Sequence, residues 1–408
     1  MNASGNGVVI VGSGLAGVSV ARELRKLDAA VPIRIVTADS GGFYSKPNLS
    51  NALAAGKNTA QLMQTPREAL EKQLAIRIDF GVRVTNILLA GHLLETSAGR
   101  IEYEKLVLAS GAQPIRLTIA GEGAAAVLSV NHIDDYAVFR EQLASPSVKR
   151  VAILGAGLIG CEFANDLRSG GFEVDVFDIA PQPLGRLLPA QAAAFMRKHL
   201  EAAGVRFHFG VGAASVERTG AASGNIYSLT DSAGTIHAVD LVLSAVGLKP
   251  DTTLAAVAGL AVNRGIVTDR QLRCRVADAA PQAGAGRPEV QVFAVGDCAE
   301  VEGLNLPYVM PIMAQARALA KTLAGMPTDV AYPAMPVVVK TPACPTVVCP
   351  PPPGVVGDWQ EEISVDGVRA LFASPDGSLR GFALCGATTA EKSALAARLP
   401  ALLSERHP

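Results

Sequence analysis

Apolar positions change their rhythm twice within the first forty residues. Val8 to Val11 is a continuous apolar run. Between residues 14 and 28 the apolar positions fall at Leu15, Val18, Ala21, Leu24 and Leu27, and from Ile33 to Val36 the run is continuous again. A short unbroken run marks a strand buried on both faces, and spacing by three or four marks a helix face. The pattern therefore predicts strand, helix, strand. It recurs as a strand over Val151–Leu154, a helix over 157–169 and a strand over Val174–Phe177, with Gly155, Gly157 and Gly160 matching Gly12, Gly14 and Gly17. One βαβ unit used twice predicts two Rossmann-like, doubly wound α/β domains and excludes a solenoid.

Each unit is followed by an apolar strand that ends in a small-residue turn, "KLVLASGAQP" (105–114) and "DLVLSAVGLKP" (240–250). Such turns are expected where the chain crosses between domains. "VFAVGDCAE" (292–300) and an Ala-rich helix within 310–325 come next. From about residue 331 the composition shifts. Prolines crowd 333–353, β-like runs lie at 363–365, 369–372 and 379–384, and a helix is expected near 388–403. This predicts a small C-terminal α+β domain. The expected partition is 1–115 with 249–330, then 116–248, then 331–408. The Ala/Gly/Pro-rich stretch 276–289 reads as a surface loop without function.

Composition narrows the class. The chain has 408 residues, 49% hydrophobic and 18% charged, with a formal net charge of −1. Sizeable cores follow, and bulk attraction to nucleic acid or an anionic membrane does not. No apolar run is long enough to span a bilayer, and the first one is a strand rather than a signal peptide. The six cysteines are scattered without a C-x-x-C pair, which fits reduced thiols in a cytoplasm. Cys344 and Cys349 have no further ligands nearby in sequence, and His92, His132, His199, His208, His237 and His407 fall in no ligand spacing, so no metal site is expected.

Each glycine turn is G-x-G-x-x-G between a strand and a helix. The first glycine permits the tight turn, the second lets backbone approach a pyrophosphate, and the third lets helix and strand pack closely. Phosphates then sit on the free N–H groups of the helix N-terminus. After the second strand of the first unit, Asp39 is the candidate ribose acceptor. In the second unit it is Asp178, which no arginine follows (Ile179, Ala180, Pro181, Gln182). A bare carboxylate there favours NADH over NADPH.

With "VFAVGDCAE" far downstream of the first turn, the chain resembles the two-dinucleotide-domain flavoprotein reductases, which are glutathione-reductase-like in fold. The resemblance spans residues 8–325. Where many members carry a cysteine, this chain reads "GGFYSKPNLSNAL" (41–53), and no cysteine precedes Cys161. It is thus similar to the cysteine-free branch, the rubredoxin reductases and the ferredoxin reductases of the oxygenase type. "GAGLIGCEFANDL", "GLAVNRGIV", "GDCAEVEGLNLPYVMP" and "VVVKTPACP" favour the former.

The resemblance implies FAD at the first turn, NADH at the second, and rubredoxin as a one-electron acceptor supplying alkane oxygenation or oxygen detoxification. A ferredoxin reductase and a redox-sensing flavoprotein remain as alternatives. It places FAD against Gly12, Ser13, Gly14, Leu15, Ala16, Gly17, Thr37, Ala38, Asp39, Val84, Ala109, Ser110, Gly111, Gly296 and Asp297, the last on the ribityl chain. Pro311 opens the helix aimed at the flavin, and Lys340 is a further candidate beside it. NADH is placed against Gly155, Gly157, Leu158, Ile159, Gly160, Asp178 and Gly247. A catalytic pair, Lys46 with Glu162, is expected beside the flavin. Arg22, Arg25, Lys26, Lys46 and Lys340 are candidates for docking an acidic partner.

Overall fold

The structure, a computed structural model, describes residues 7–219, 226–277 and 291–404. Apart from Val276 and Ala277, the expected surface loop at 276–289 lies outside the described residues, as does His407.

The first unit builds β1 (Val8–Val11), α1 (Leu15–Leu27) and β2 (Ile33–Val36). With β3 (Arg77–Asp79) and β4 (Lys105–Leu108) they enter a parallel sheet completed much later in the chain. Helix α1 ends at Asp28, whose carboxylate accepts from Ala30 N (2.8 Å) and Val31 N (3.0 Å). Arg25 and Lys26 lie in its last turn, where cations complement the helix dipole.

The second unit repeats the plan with β5 (Arg150–Leu154), α2 (Leu158–Ser169), β6 (Glu173–Asp178), α3 (Ala190–Ala202), β7 (Val205–Phe209) and β8 (Leu241–Ser244). Its parallel sheet runs β7-β6-β5-β8. The chain then returns to the first sheet as β9 (Val292–Ala294), giving the order β9-β4-β1-β2-β3, and α4 (Val309–Leu323) packs on α1. The two connections between the sheets run side by side as the short antiparallel strands Ala112–Pro114 and Leu248–Pro250. Each unit also carries a three-stranded antiparallel meander, at Val84–Glu102 and Ala213–Val239.

Beyond residue 330 an antiparallel sheet runs β10-β11-β14-β13-β12, made of β10 (Val337–Val339), β11 (Thr346–Cys349), β12 (Asp358–Ile363), β13 (Gly367–Ala373) and β14 (Leu379–Gly386). Three expectations change here. The proline-rich stretch contains two strands, β10 and β11. The strand expected at 363–365 instead ends at Ile363. It is anchored by Trp359 edge-on to Phe372, with Val365 at a hairpin tip, 89% exposed. The terminal helix is a 3₁₀ turn (Ala387–Glu391) and a short α5 (Lys392–Ala396). Pro400 removes a donor and disfavours helical backbone at Leu399.

One face of this sheet shares a core with the second unit. Ala192, Ala193 and Met196 of α3 pack with Val368, Ala370 and Ala383. Glu361 of β12 caps α3, accepting from Gln191 N (3.0 Å) and Ala192 N (2.9 Å) where Pro189 offers no side-chain cap. Met196→Ala, which empties fully buried volume at this seam, is expected to lower unfolding stability by about 2–5 kcal/mol, measured as a shift in the urea midpoint at unchanged m-value.

Candidate functional site

The two glycine turns have the same construction. Gly12 (φ +112°) and Gly155 (φ +105°) occupy backbone that other residues avoid. A Cβ on Gly17 would lie 2.1 Å from Gly12 O, and one on Gly160 1.9 Å from Gly155 O, so these positions set how closely helix approaches strand. A Cβ on Gly14 or Gly157 would meet nothing within 4 Å. Those two glycines are the N-caps of α1 and α2, and neither helix has a side-chain cap. Each unit thus presents open backbone N–H groups at a helix N-terminus, an arrangement that holds phosphate.

The surroundings of the turns differ. Around the first, one oxygen of Asp39 accepts from Ser13 Oγ (2.8 Å), Thr37 Oγ1 (2.8 Å) and Gly41 N (2.9 Å), so the acid is tied into the turn itself. Ala109 N donates to Val11 O (2.9 Å). Ser110 Oγ donates to Asp251 O (2.8 Å), and Gly111 takes φ +70°. The loop after β9 brings Asp297 to the same groove, with Oδ1 buried and unpartnered. Burial pushes the Asp297 carboxyl up, and Lys46 opposes this. Burial likewise pushes the Lys46 ammonium down, against Asp297, Asp39 and Asp135. An orphaned carboxylate beside open backbone N–H groups is what a polyhydroxyl chain ending in a pyrophosphate would satisfy, so the residues present fit FAD. Val84 opens the neighbouring meander, paired with Thr96, and Pro311 lies buried in the first turn of α4.

Around the second turn, Asp178 ends β6 and accepts from Ala156 N (2.5 Å) and Ala180 N (2.7 Å). Those bonds aim it along the turn's mouth, and Ile179 beside it is 81% exposed. Leu158 and Ile159 are half-buried or exposed at the start of α2. Gly247 (φ +123°) turns the chain after β8 and its carbonyl accepts from Ile115 N. This acid-rimmed turn fits a second dinucleotide.

Glu162 does not pair with Lys46. It is fully buried, and its ion-pair partner is Lys340, with Nζ to Oε2 at 2.9 Å. Lys340 N donates to Oε1 (2.9 Å) and Ser50 Oγ to Oε2. The ammonium also donates to Pro47 O and Asn51 Oδ1 (2.8 Å), and Asn51 Nδ2 donates to Lys340 O (2.9 Å). The reason lies in the 3₁₀ helix Lys46–Asn51. At three residues per turn, Lys46 and Ser50 point roughly 120° apart. Ser50 faces α2, while Lys46 faces Asp297.

Sequence reading missed Ser50, Asn51 and the rest of the buried polar stripe of α2. Asn165 accepts from Ala343 N (3.0 Å), and Asp166 from Leu53 N (3.0 Å) and Ala54 N (2.8 Å). The available signal was "EFAND", with polar residues at i, i+3 and i+4 of an otherwise apolar helix. The α1 cations are occupied elsewhere. Arg25 donates to Leu74 O and Ala75 O, Lys26 pairs with Glu23, and Arg22 lies over the Phe43 ring. All six cysteines are buried and free.

Residues 6–318 match the pyridine nucleotide-disulphide oxidoreductase family, and the chain belongs to it. Residues 329–399 match the rubredoxin binding C-terminal domain. The chain is 45% identical over 389 residues to Rubredoxin-NAD(+) reductase of Acinetobacter baylyi, covering 94% of this chain and 95% of that protein. It is 36% identical to Nitric oxide reductase FlRd-NAD(+) reductase of Aeromonas salmonicida, covering 96% of each. Among solved structures, putidaredoxin reductase in covalent complex with putidaredoxin superposes with a TM-score of 0.83 at 25% identity, covering 97% of this chain and 94% of that one. NADH:rubredoxin oxidoreductase of Clostridium acetobutylicum shares the fold, with a TM-score of 0.76 at 18% identity over 97% and 93% of the two chains.

Lys340→Met leaves the Glu162 carboxylate buried without its cation. A loss of about 3 kcal/mol is expected in chemical denaturation. The double variant with Glu162→Gln should recover most of it, because the stranded charge is then gone.

Proposed function

We propose that the chain is an FAD-dependent reductase that takes electrons from NADH and passes them singly to rubredoxin. The observation that carries this reading is the pair of uncapped glycine turns, one walled by Lys46 and by Asp297 with its buried, unpartnered Oδ1, and the other rimmed by Asp178. A nearly full-length likeness to Rubredoxin-NAD(+) reductase and the matched C-terminal domain support the acceptor. FAD, when bound, supplies conversion between a two-electron hydride donor and single-electron delivery.

The chain's own residues bind and orient. Residues 1–115 with 249–330 form the FAD-binding unit, 116–248 the NADH-binding unit and 331–408 the acceptor-binding unit. Asp297 takes hydroxyls of the ribityl chain, and Lys46 brings positive charge to the same groove. Glu162 and Lys340 hold the loop 46–51 against α2, which keeps the two cofactor grooves in register. The acceptor approaches the cleft of about 490 Å³ between residues 48–62 and the loop 339–345, where Lys57 supplies positive charge and no acid lies in the lining. No helix among the described residues is long and apolar enough to cross a membrane, and we place the enzyme in the cytoplasm. Its rubredoxin serves alkane hydroxylation or oxygen detoxification.

Steady-state NADH oxidation with rubredoxin and with a [2Fe–2S] ferredoxin as acceptors tests the reading. Rubredoxin should be reduced much faster, and a ferredoxin preference would replace it. The apparent second-order rate with rubredoxin should fall as salt rises, since screening over about 10 Å at 0.1 M weakens steering by charge. Flavin reduction by NADH should change little.

Asp178→Ala with Ile179→Arg should narrow the preference for NADH over NADPH, read as the ratio of kcat/KM values. Equal use of both by the unaltered enzyme would remove Asp178 from its role.

A further inference from the structure

The wall of the first groove opposite α1 is a short turn, Gly296–Asp297, and the structure holds it from behind. Gly296 takes φ +85°, and a Cβ there would lie 2.7 Å from the Ala16 Cβ. The turn therefore presses directly on the first helix. Gly296 N donates to Gln315 Oε1 at 2.6 Å. Gln315 Nε2 donates in turn to the Tyr332 hydroxyl at 2.8 Å. Gln315 is 1% exposed and Tyr332 fully buried. Burial pushes the Tyr332 hydroxyl up to about 12, so it stays neutral as an acceptor. The Tyr332 backbone is itself clamped, donating to Leu403 O (2.9 Å) and accepting from Leu402 N (2.7 Å).

An amide in the apolar interior of α4 is costly unless both of its ends are bonded. Here both are, in one orientation only. The amide oxygen must face Gly296, because its NH₂ would oppose the Gly296 N–H. The result is a rigid line from the segment Leu402–Leu403 through Tyr332 and Gln315 to the Val295–Gly296 peptide, one residue before Asp297, while Asp297 Oδ1 at its far end is left buried without a partner.

We propose that Gln315 and Tyr332 are positioning residues for Asp297. They hold the Gly296 peptide so that the carboxylate stays aimed into the cofactor groove. Neither touches the cofactor. The proposal rests on the reading that FAD occupies the groove.

The test is FAD titration of the full-length apoprotein, followed by flavin fluorescence, for the unaltered chain, Gln315→Leu, Gln315→Glu, Tyr332→Phe and Asp297→Asn, and for each of Gln315→Leu and Tyr332→Phe combined with Asp297→Asn. Gln315→Leu strands two buried groups and should raise the FAD dissociation constant about tenfold or more, and Tyr332→Phe about threefold. Gln315→Glu should restore most of the affinity, since its carboxyl can accept from Gly296 N–H and, when protonated, donate to Tyr332. In the Asp297→Asn background both substitutions should change the constant less than twofold, because a residue that acts through Asp297 has nothing left to position. Equal weakening in the two backgrounds would reduce Gln315 and Tyr332 to ordinary core residues and overturn the proposal. If Gln315→Leu does not fold, the Tyr332→Phe cycle decides, since it removes a single oxygen. Unaltered protein that takes up no FAD would overturn the cofactor reading itself, a result distinct from an additive cycle.

Discussion

The buried carboxylate of Glu162 is the constraint on which the assembly turns. Desolvating a carboxylate costs several kcal/mol, and this one has no exposed surface. It is offset by the Lys340 ammonium and backbone N–H and by the Ser50 hydroxyl. Those donors come from two other parts of the chain, so the charge is satisfied only when the loop 46–51, α2 and the loop before β11 meet. Asp166 and Asn165 extend the same logic along α2. Because α2 starts at the second glycine turn, satisfying its buried acids also fixes where that turn stands relative to the first.

Two turns of identical backbone design then serve unlike tasks through their neighbours. The first is closed by Asp297 and Lys46, each shifted by burial against the other's charge. It suits a ligand that supplies many hydroxyls. The second is rimmed by Asp178, oriented by two backbone N–H groups and bordered by an exposed Ile179. It suits a second dinucleotide. The C-terminal sheet shares its core with the second unit, and its Glu361 caps α3 there. The domain that matches the rubredoxin binding C-terminal domain is thereby carried on the scaffold that holds the second turn.

The repeated βαβ unit, the tight turn and close helix packing at its glycines and the place of Asp178 at the end of β6 were legible in the sequence, because each is a local matter of backbone geometry and strand length. A tight turn needs glycine wherever it sits, and a buried parallel strand needs an unbroken apolar run. The branch of the family was legible too, since the absence of cysteine before Cys161 is a fact of sequence. Less legible was the C-terminal sheet. Trp359 and Glu361 of β12 are polar or amphipathic by composition, and only a partner strand and the end of α3 make that segment a strand.

Which charges meet was decided by the tertiary structure alone. Lys46 and Lys340 both stood near glycine turns or family motifs, and nothing local distinguished them as partners for Glu162. The pitch of one 3₁₀ helix turned Lys46 toward Asp297 and Ser50 toward α2, and the loop before β11 brought Lys340 to Glu162 from 178 residues away. Likewise Gln315 reads in sequence as one polar residue on an alanine-rich helix, and only packing against Gly296 and Tyr332 gives its amide a purpose. Backbone needs are written position by position in the chain. The partners of buried polar side chains are set by the requirement that every desolvated group be bonded, and that requirement has a solution only in three dimensions.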